Sequence, residues 1–208
     1  MSDELVFYTN PMSRGRIVRW MLEEVGQPYR TELLDYSSSM KSADYLAINP
    51  MGKVPAIRHG DVVVTETIAL YIYLSDLFPH ADLAPALDDP QRGPYLRWLV
   101  FYAACFEPAV GDRAMKREPA PRAQSPYADF ETTLKTLTDQ LARGPYLLGE
   151  RFSAADVLWG NALRWVTGFG MVEATPLIKD YIERVTSRPA QVRAQQADAA
   201  LAKEMGIE

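Results

Sequence analysis

The sequence predicts two parts, a small α/β unit followed by an all-helical one. Three observations carry this reading. Strand-like runs and helical periodicity alternate only within residues 1–79. A stretch rich in Asp, Ala and Pro, residues 80–90, then interrupts them and reads as a linker. From residue 91 to 208 the apolar residues recur only at helical spacing, with no convincing strand.

In chain order, Leu5-Val6-Phe7-Tyr8 is a short apolar strand and Asn10-Pro11-Met12 a turn. From Arg14 to Val25, Ile17, Val18, Met21, Leu22 and Val25 share one helical face, with Arg19 and Glu23 i,i+4 on the other side. Gly26 and Pro28 stop that helix. Tyr29, Thr31 and Leu33 alternate with Arg30 and Glu32 as a strand would, and the polar run Ser37-Ser38-Ser39 leads to a short helix ending near Asn49-Pro50. Val54 to Arg58 and Val62 to Val64 flank His59-Gly60-Asp61 as a hairpin, and a helix from Thr67 to Phe78 ends at Pro79. In the second part, Tyr95 to Phe106 is an apolar helix, and Tyr127, Phe130, Leu134, Leu137 and Leu141 step by three and four. Ser153 to Val166 forms the next helix and Leu177, Ile178, Tyr181, Ile182 and Val185 the one after, which Pro189 stops before a polar, Ala-rich C-terminal helix.

Composition narrows the function. With 22 Lys+Arg against 27 Asp+Glu the net charge is −5, which argues against a nucleic-acid partner. One Cys and two isolated His, His59 and His80, exclude an internal disulfide, a CxxC redox pair and a cysteine zinc site, and leave no basis for a His-based metal centre or a Ser-His-Asp triad. Met1-Ser2-Asp3-Glu4 is acidic where a secretory signal would be basic. The longest apolar run, Trp98 to Phe106, is shorter than the ~20 residues that span a bilayer. The expectation is a soluble, cytoplasmic protein with no membrane partner and no metal. An enzyme built on this chain must take its reactive group from a cofactor or co-substrate.

Four segments then resemble cytosolic glutathione transferases: Tyr8-Thr9-Asn10-Pro11-Met12-Ser13-Arg14, Asn49-Pro50-Met51-Gly52-Lys53-Val54-Pro55-Ala56-Ile57, Glu66-Thr67-Ile68-Ala69-Leu70 and Phe152-Ser153-Ala154-Ala155-Asp156. Each motif is only moderately specific, but their order and spacing match over nearly the whole chain. The resemblance implies a thioredoxin-like N-terminal domain (βαβ-α-ββα) at residues 1–79 and an all-α domain at 91–208. It points to a serine-type, theta/beta-like, bacterial-looking group, in which the catalytic Ser follows the strand Tyr by five residues, as Ser13 follows Tyr8.

Every motif also has a plain structural explanation. Ser13 sits where a strand gives way to a helix, and Ser is a favoured N-cap. The same helix end carries partial positive charge and free N–H donors, so a hydroxyl there suits a thiolate. The resemblance implies that Ser13 activates glutathione, with Tyr8 and Asn10 as rival contributors. A Pro on an edge strand is tolerated for its own sake; the resemblance makes Val54-Pro55 cis and gives the Val54 main chain to the cysteinyl part of glutathione. Lys53 is either a solvated lysine or the partner of the glycyl carboxylate. Thr67 reads as a helix cap, or as the holder of the γ-glutamyl carboxylate, with Glu66 meeting the ammonium. Met40 stands where theta-like relatives place a glutathione-contacting His, a departure that Lys41 partly offsets. Ser153 to Asp156 is a capping-box variant with a structural role.

A hydrophobic electrophile is expected to bind between the domains, with Met12, Tyr102, Phe106, Met115, Trp165 and Phe169 as candidates, although ordinary core packing explains any one of them. Cys105 reads as a small buried hydrophobe. The expected activity is conjugation of the glutathione thiolate to an apolar electrophile in a homodimeric detoxification enzyme. The alternatives are a non-catalytic ligand carrier or protein-interaction module, as stringent-starvation-type proteins are, and a glutathione-dependent isomerase or dehalogenase.

Overall fold

A four-stranded mixed sheet organises the first of two units in this computed structural model, which describes residues 4–118 and 120–207. The tripeptide Met1-Ser2-Asp3, on which the reading of the N-terminus partly rests, lies outside the described residues. The strands are β1 (Leu5–Thr9), β2 (Arg30–Leu33), β3 (Ala56–His59) and β4 (Val62–Thr65), in the order β2-β1-β3-β4. β1 pairs parallel with β2 and antiparallel with β3, and β3 pairs antiparallel with β4. All five residues of β1 are buried, as a central strand covered on both faces requires, and its unbroken apolar run encodes that. β4 is an edge, and its Val62 and Val63 are exposed.

Helix α1 (Gly15–Val25) makes the crossover from β1 to β2. Gly26, at φ 74°, ends it and donates its N–H to the Leu22 carbonyl at 3.0 Å. A 3₁₀ turn (Ser39–Lys41) precedes α2 (Ala43–Ile48), and α3 (Thr67–Leu77) follows the β3–β4 hairpin.

The last helix, α9 (Pro189–Glu204), also packs in this unit, against α1. The sequence pattern alone counts it with the helical part at 91–208. Two features draw it here. Arg188 makes a two-pronged pair with Glu24 at 2.7 and 2.8 Å. More deeply, Arg19 Nε donates to Asp198 Oδ1 at 2.6 Å, with both side chains almost fully buried. Arg19 also donates to Tyr29 Oη at 3.2 Å and Thr31 Oγ1 at 3.3 Å, and its guanidinium lies 5.2 Å from the Phe7 ring centroid. Arg19 and Glu23, i,i+4 in the sequence, take different partners. Arg19 turns inward to a partner on α9, while Glu23 accepts from Tyr29 Oη at 2.8 Å and from Arg193 at 2.9 Å. Burial pushes the Asp198 carboxyl up, and Arg19 pulls it back down.

The second unit, residues 82–187, is helical. Its elements are α4 (Arg92–Phe101), a π-helical turn (Tyr102–Phe106), α5 (Glu107–Ala114), α6 (Phe130–Leu141), α7 (Ala154–Gly168) and α8 (Pro176–Thr186). The apolar pattern ends the first of these helices at Phe106, whereas α5 follows directly. Trp159 on α7 is the hub of the core. Its Nε1 donates to the Trp98 carbonyl at 2.9 Å, and the rings of Trp98, Tyr102 and Phe106 meet it edge-on with centroids 6.1, 5.6 and 4.9 Å away.

The expected linker is ordered within this unit from Asp82 onward. Arg151 donates to Asp82 at 2.5 Å, to Asp89 at 3.3 Å and to the Ala84 carbonyl at 2.9 Å. The capping box at the start of α7 has formed. Asp156 Oδ2 accepts from Ser153 N at 2.9 Å and Ser153 Oγ at 3.1 Å, while Oδ1 accepts from Leu147 N and Tyr181 Oη, both at 2.9 Å. Among the described residues no helix is long and apolar enough to cross a membrane.

Candidate active site

The turn from β1 into α1 is locked by Asn10, which is 1% exposed. Its Nδ2 donates to the Leu34 carbonyl at 2.8 Å and its Oδ1 accepts from Met12 N at 2.9 Å. Ser13 follows, half-buried. Its Oγ donates to the Asn10 carbonyl at 2.7 Å and accepts from Gly15 N at 2.8 Å. The residue in the formal cap position, Arg14, has helical dihedrals and makes no side-chain cap, so the Ser13 hydroxyl takes over a first-turn donor of α1. Ser13 N also donates to the Asn10 carbonyl, at 3.0 Å. The carbonyl therefore stays satisfied if the hydroxyl proton turns elsewhere.

The rivals are less free. Tyr8 is buried, its ring 5.7 Å from that of Tyr45, and the Asn10 amide is used on both sides. Arg16, which no sequence motif marks, arches back so that its Nε contacts the Pro11 carbonyl, with an Nη2 donating to Met12 Sδ at 3.5 Å. A signal for it existed, since Arg14 and Arg16 put positive charge in a helical first turn that the helix dipole would leave to acids.

The Val54-Pro55 peptide is cis, as expected. The Lys53 carbonyl just before it accepts from Tyr45 Oη at 2.5 Å and Asn49 Nδ2 at 2.8 Å, which pins this loop to α2. Burial pushes the Tyr45 hydroxyl up to about 12, so it remains a donor. The Lys53 side chain is exposed, and Lys41 Nζ donates to the Gly52 carbonyl at 3.3 Å, so two ammonium groups flank one loop. Gly52 must be glycine there, because φ is 57° and a Cβ would lie 2.9 Å from the Met40 carbonyl oxygen. Met40 is buried with Val6, Tyr8, Leu34 and Tyr45. At the position where the resemblance expected a ligand-contacting His, this chain has a core residue.

At the start of α3 the cap position falls on Glu66, not on Thr67, which is the first helical residue. Glu66 has φ 68° and ψ 121°, a left-handed backbone that costs a non-glycine residue roughly 1–3 kcal/mol. It makes no side-chain cap, and no acidic residue occupies the first turn. The exposed carboxylate thus stands beside an uncapped, electropositive helix end.

The second-substrate candidates divide. Tyr102 and Phe106 are 4% and 2% exposed and belong to the Trp159 cluster, so ordinary core packing accounts for them. Trp165, near the end of α7, and Phe169, just after it, form an exposed edge-to-face pair with centroids 5.1 Å apart, and Met115 is exposed after α5. Met12, in the first unit, is 54% exposed. Cys105 is partly exposed on the π-helical turn and burial pushes its thiol up, so it is no activated nucleophile. No group of His, Cys, Asp and Glu among the described residues is arranged to hold a metal ion.

A thioredoxin-like sheet whose first helix begins at a capping hydroxyl, joined to a helical unit, defines the class of protein. Comparison with known proteins names the family within it. The family model for the glutathione S-transferase N-terminal domain matches residues 12–77, and that for the C-terminal domain matches residues 127–184. The chain is 29% identical over 150 residues to the glutathione S-transferase GstA of Escherichia coli O157:H7, covering 70% of this chain and 74% of that one. It is 28% identical over 200 residues to the disulfide-bond oxidoreductase YfcG of Escherichia coli K12, covering 88% and 90%. A glutathione transferase structure from Methylococcus capsulatus strain Bath superimposes with a TM-score of 0.79 at 30% identity, over 94% of this chain and 99% of that one. A Sulfitobacter homologue with bound glutathione superimposes with a TM-score of 0.74 at 28% identity, over 94% and 99%. The chain belongs to the glutathione S-transferase family.

Proposed function

We propose that the protein is a glutathione transferase that joins the glutathione thiolate to an apolar electrophile, with Ser13 as the catalytic residue. One observation carries this most: the Ser13 hydroxyl is held at the start of α1 by Gly15 N–H, and its proton rests on a carbonyl that already has another donor. Turning that proton to a sulfur anion leaves no group of the turn unsatisfied.

The magnitude fits the task. A hydrogen bond to a charged acceptor is worth about 1.5–3 kcal/mol, and giving up the bond to Asn10 returns about 0.5–1.5 kcal/mol. The balance lowers a bound thiol by about 1 pKa unit from ~8.5. The α1 dipole and the Arg16 guanidinium beside the turn act in the same direction. The thiolate then forms a carbon–sulfur bond to the electrophile, and a leaving group, where there is one, departs with the electron pair.

The peptide is held along its length. The Val54 main chain at cis-Pro55 takes the cysteinyl segment in strand-like pairing. Lys53 and Lys41 take the glycyl carboxylate. The Thr67 hydroxyl and the N–H groups at the start of α3 take the γ-glutamyl carboxylate, and Glu66 the ammonium. The strain at Glu66 is explained by this placement. Met12, Met115, Trp165 and Phe169 are the exposed apolar side chains of the candidate set.

The YfcG relative supports a second reading, in which the same stabilised thiolate attacks a disulfide and not a carbon. Glutathione-resin retention combined with a conjugation assay and a disulfide-reduction assay separates these readings. Retention with conjugation supports the transferase. Retention with disulfide reduction alone supports the oxidoreductase, retention without turnover supports a carrier, and failure to bind glutathione ends the proposal. The family resemblance also supports a homodimer in the cytoplasm, which light scattering and fractionation test.

A further inference from the structure

We propose that Thr9 is a positioning residue for Ser13, its buried hydroxyl donating to Ser13 Oγ once Ser13 turns its own proton onto the thiolate. The inference rests on the reading of Ser13 given above and adds a residue to it.

Thr9 ends β1 and is fully buried. Its main-chain carbonyl is satisfied by Leu34 N–H at 2.9 Å, but its Oγ1 has no hydrogen-bond partner among the described residues. A buried hydroxyl left in this way costs stability, and a native structure that keeps one calls for a reason. Its position supplies one. A Cβ built on Gly15 would lie 1.9 Å from Thr9 Oγ1 and 2.9 Å from Ser13 Oγ. The two hydroxyls therefore face the same point beside the first residue of α1, and Gly15 is the residue that leaves them room.

Hydrogen-bond valence completes the argument. Ser13 Oγ has one proton and two lone pairs. In this structure the proton is on the Asn10 carbonyl and one lone pair takes Gly15 N–H. The second lone pair takes no donor among the described residues, and the unpartnered Thr9 hydroxyl lies beside the same Gly15 position. When the Ser13 proton swings to sulfur, Thr9 O–H donates to that lone pair, so the chain runs from Thr9 O–H to Ser13 O–H to the thiolate. No proton changes owner. Each bond in such a chain polarises the next, so Ser13 becomes a stronger donor to sulfur than it would be alone.

The test titrates the bound glutathione thiol by thiolate absorbance, with kcat and KM measured across pH, in the wild type and Thr9→Val, which keeps the side chain's shape and removes its hydroxyl. The expected result is a rise of about 0.5–1 unit in the bound-thiol pKa, a roughly three- to tenfold fall in kcat below that pKa, and little change in KM for glutathione. Wild-type pKa and kcat in Thr9→Val overturn the inference. If Thr9→Val does not fold, Thr9→Ser and Thr9→Ala decide it, since they differ from each other only by the hydroxyl. Ser should behave as wild type and Ala should show the shift, while equal behaviour of the two overturns the proposal. A merely structural role would lower the melting temperature without moving the thiol titration. A wild type that does not ionise glutathione overturns this inference together with the proposed function. A thiolate that responds to Ser13→Ala but not to loss of the Thr9 hydroxyl overturns this inference alone.

Discussion

Replacing Asp156 by Asn in the helical unit tests how the fold is held. The two carboxylate oxygens accept four donors: Leu147 N, Tyr181 Oη, Ser153 N and Ser153 Oγ. Asn keeps one oxygen and turns an NH₂ toward donors. Orienting the oxygen to Leu147 and Tyr181 strands Ser153 N–H in the interior. An unsatisfied buried donor costs about 1–3 kcal/mol, and the remaining bonds lose the charge assistance of the ionised carboxylate, so the variant should be less stable by about 2–4 kcal/mol at pH 7.5. The penalty should depend on pH in a stated direction. Burial pushes the Asp156 carboxyl up from 3.8 to about 6, outweighing its four donors. A folded-state pKa raised above the unfolded value means stability present below the unfolded pKa and lost as pH rises through the folded one. Between pH 5 and 7.5 the wild type should lose about 1 kcal/mol through this group, a loss that Asn cannot show. The gap between variant and wild type should therefore narrow as pH rises. Denaturant unfolding followed by far-UV circular dichroism at the two pH values measures it. A gap below about 0.5 kcal/mol at pH 5, or one that widens with pH, would refute the reasoning.

Two further substitutions probe the first unit. Arg19→Met leaves Asp198 buried without its cation and should cost about 3–5 kcal/mol, with faster amide exchange in α9; the double variant Arg19→Met with Asp198→Leu should regain much of the loss. Retained stability in the single variant counts against the pair as the tie between α1 and α9. Glu66→Gly places at φ 68° the residue that adopts it freely and should stabilise the protein by up to about 1 kcal/mol. The same change should raise KM for glutathione roughly tenfold by removing the ammonium's partner, an effect of about 1.4 kcal/mol. Gains in both stability and affinity would show that the strain serves no ligand.

Much of the α/β unit was legible because its signals are local. Alternation marked β2, Gly26 and Pro28 marked the end of α1, and His59-Gly60-Asp61 marked the hairpin. What escaped depends on residues far apart in the chain. Arg19 has the spacing of a surface residue beside Glu23, and only Asp198, carried back by α9, makes it a buried one. Tyr102 and Phe106 have the composition of a pocket wall, yet the π-helical turn directs them onto Trp159. The proposed site draws on Ser13, Val54-Pro55 and Glu66-Thr67, which stand out in the sequence because backbone requirements constrain the residue type there. Thr9 and Arg16 do not stand out in the sequence, because the roles proposed for them depend on what the fold places beside them. Nor did the sequence separate Glu66 from Thr67 as the cap of α3, because the answer is a dihedral angle.

The central claim is that Ser13 lowers the pKa of a bound thiol, and the absorbance titration of glutathione on wild type and Ser13→Ala tests it most directly. The wild type should bind glutathione with a thiol at ~7.5, about 1 unit below a free cysteine thiol, and Ser13→Ala should return it toward ~8.5 with calorimetric affinity within a few-fold. An unchanged thiolate pKa in Ser13→Ala, with glutathione still bound, would contradict the account.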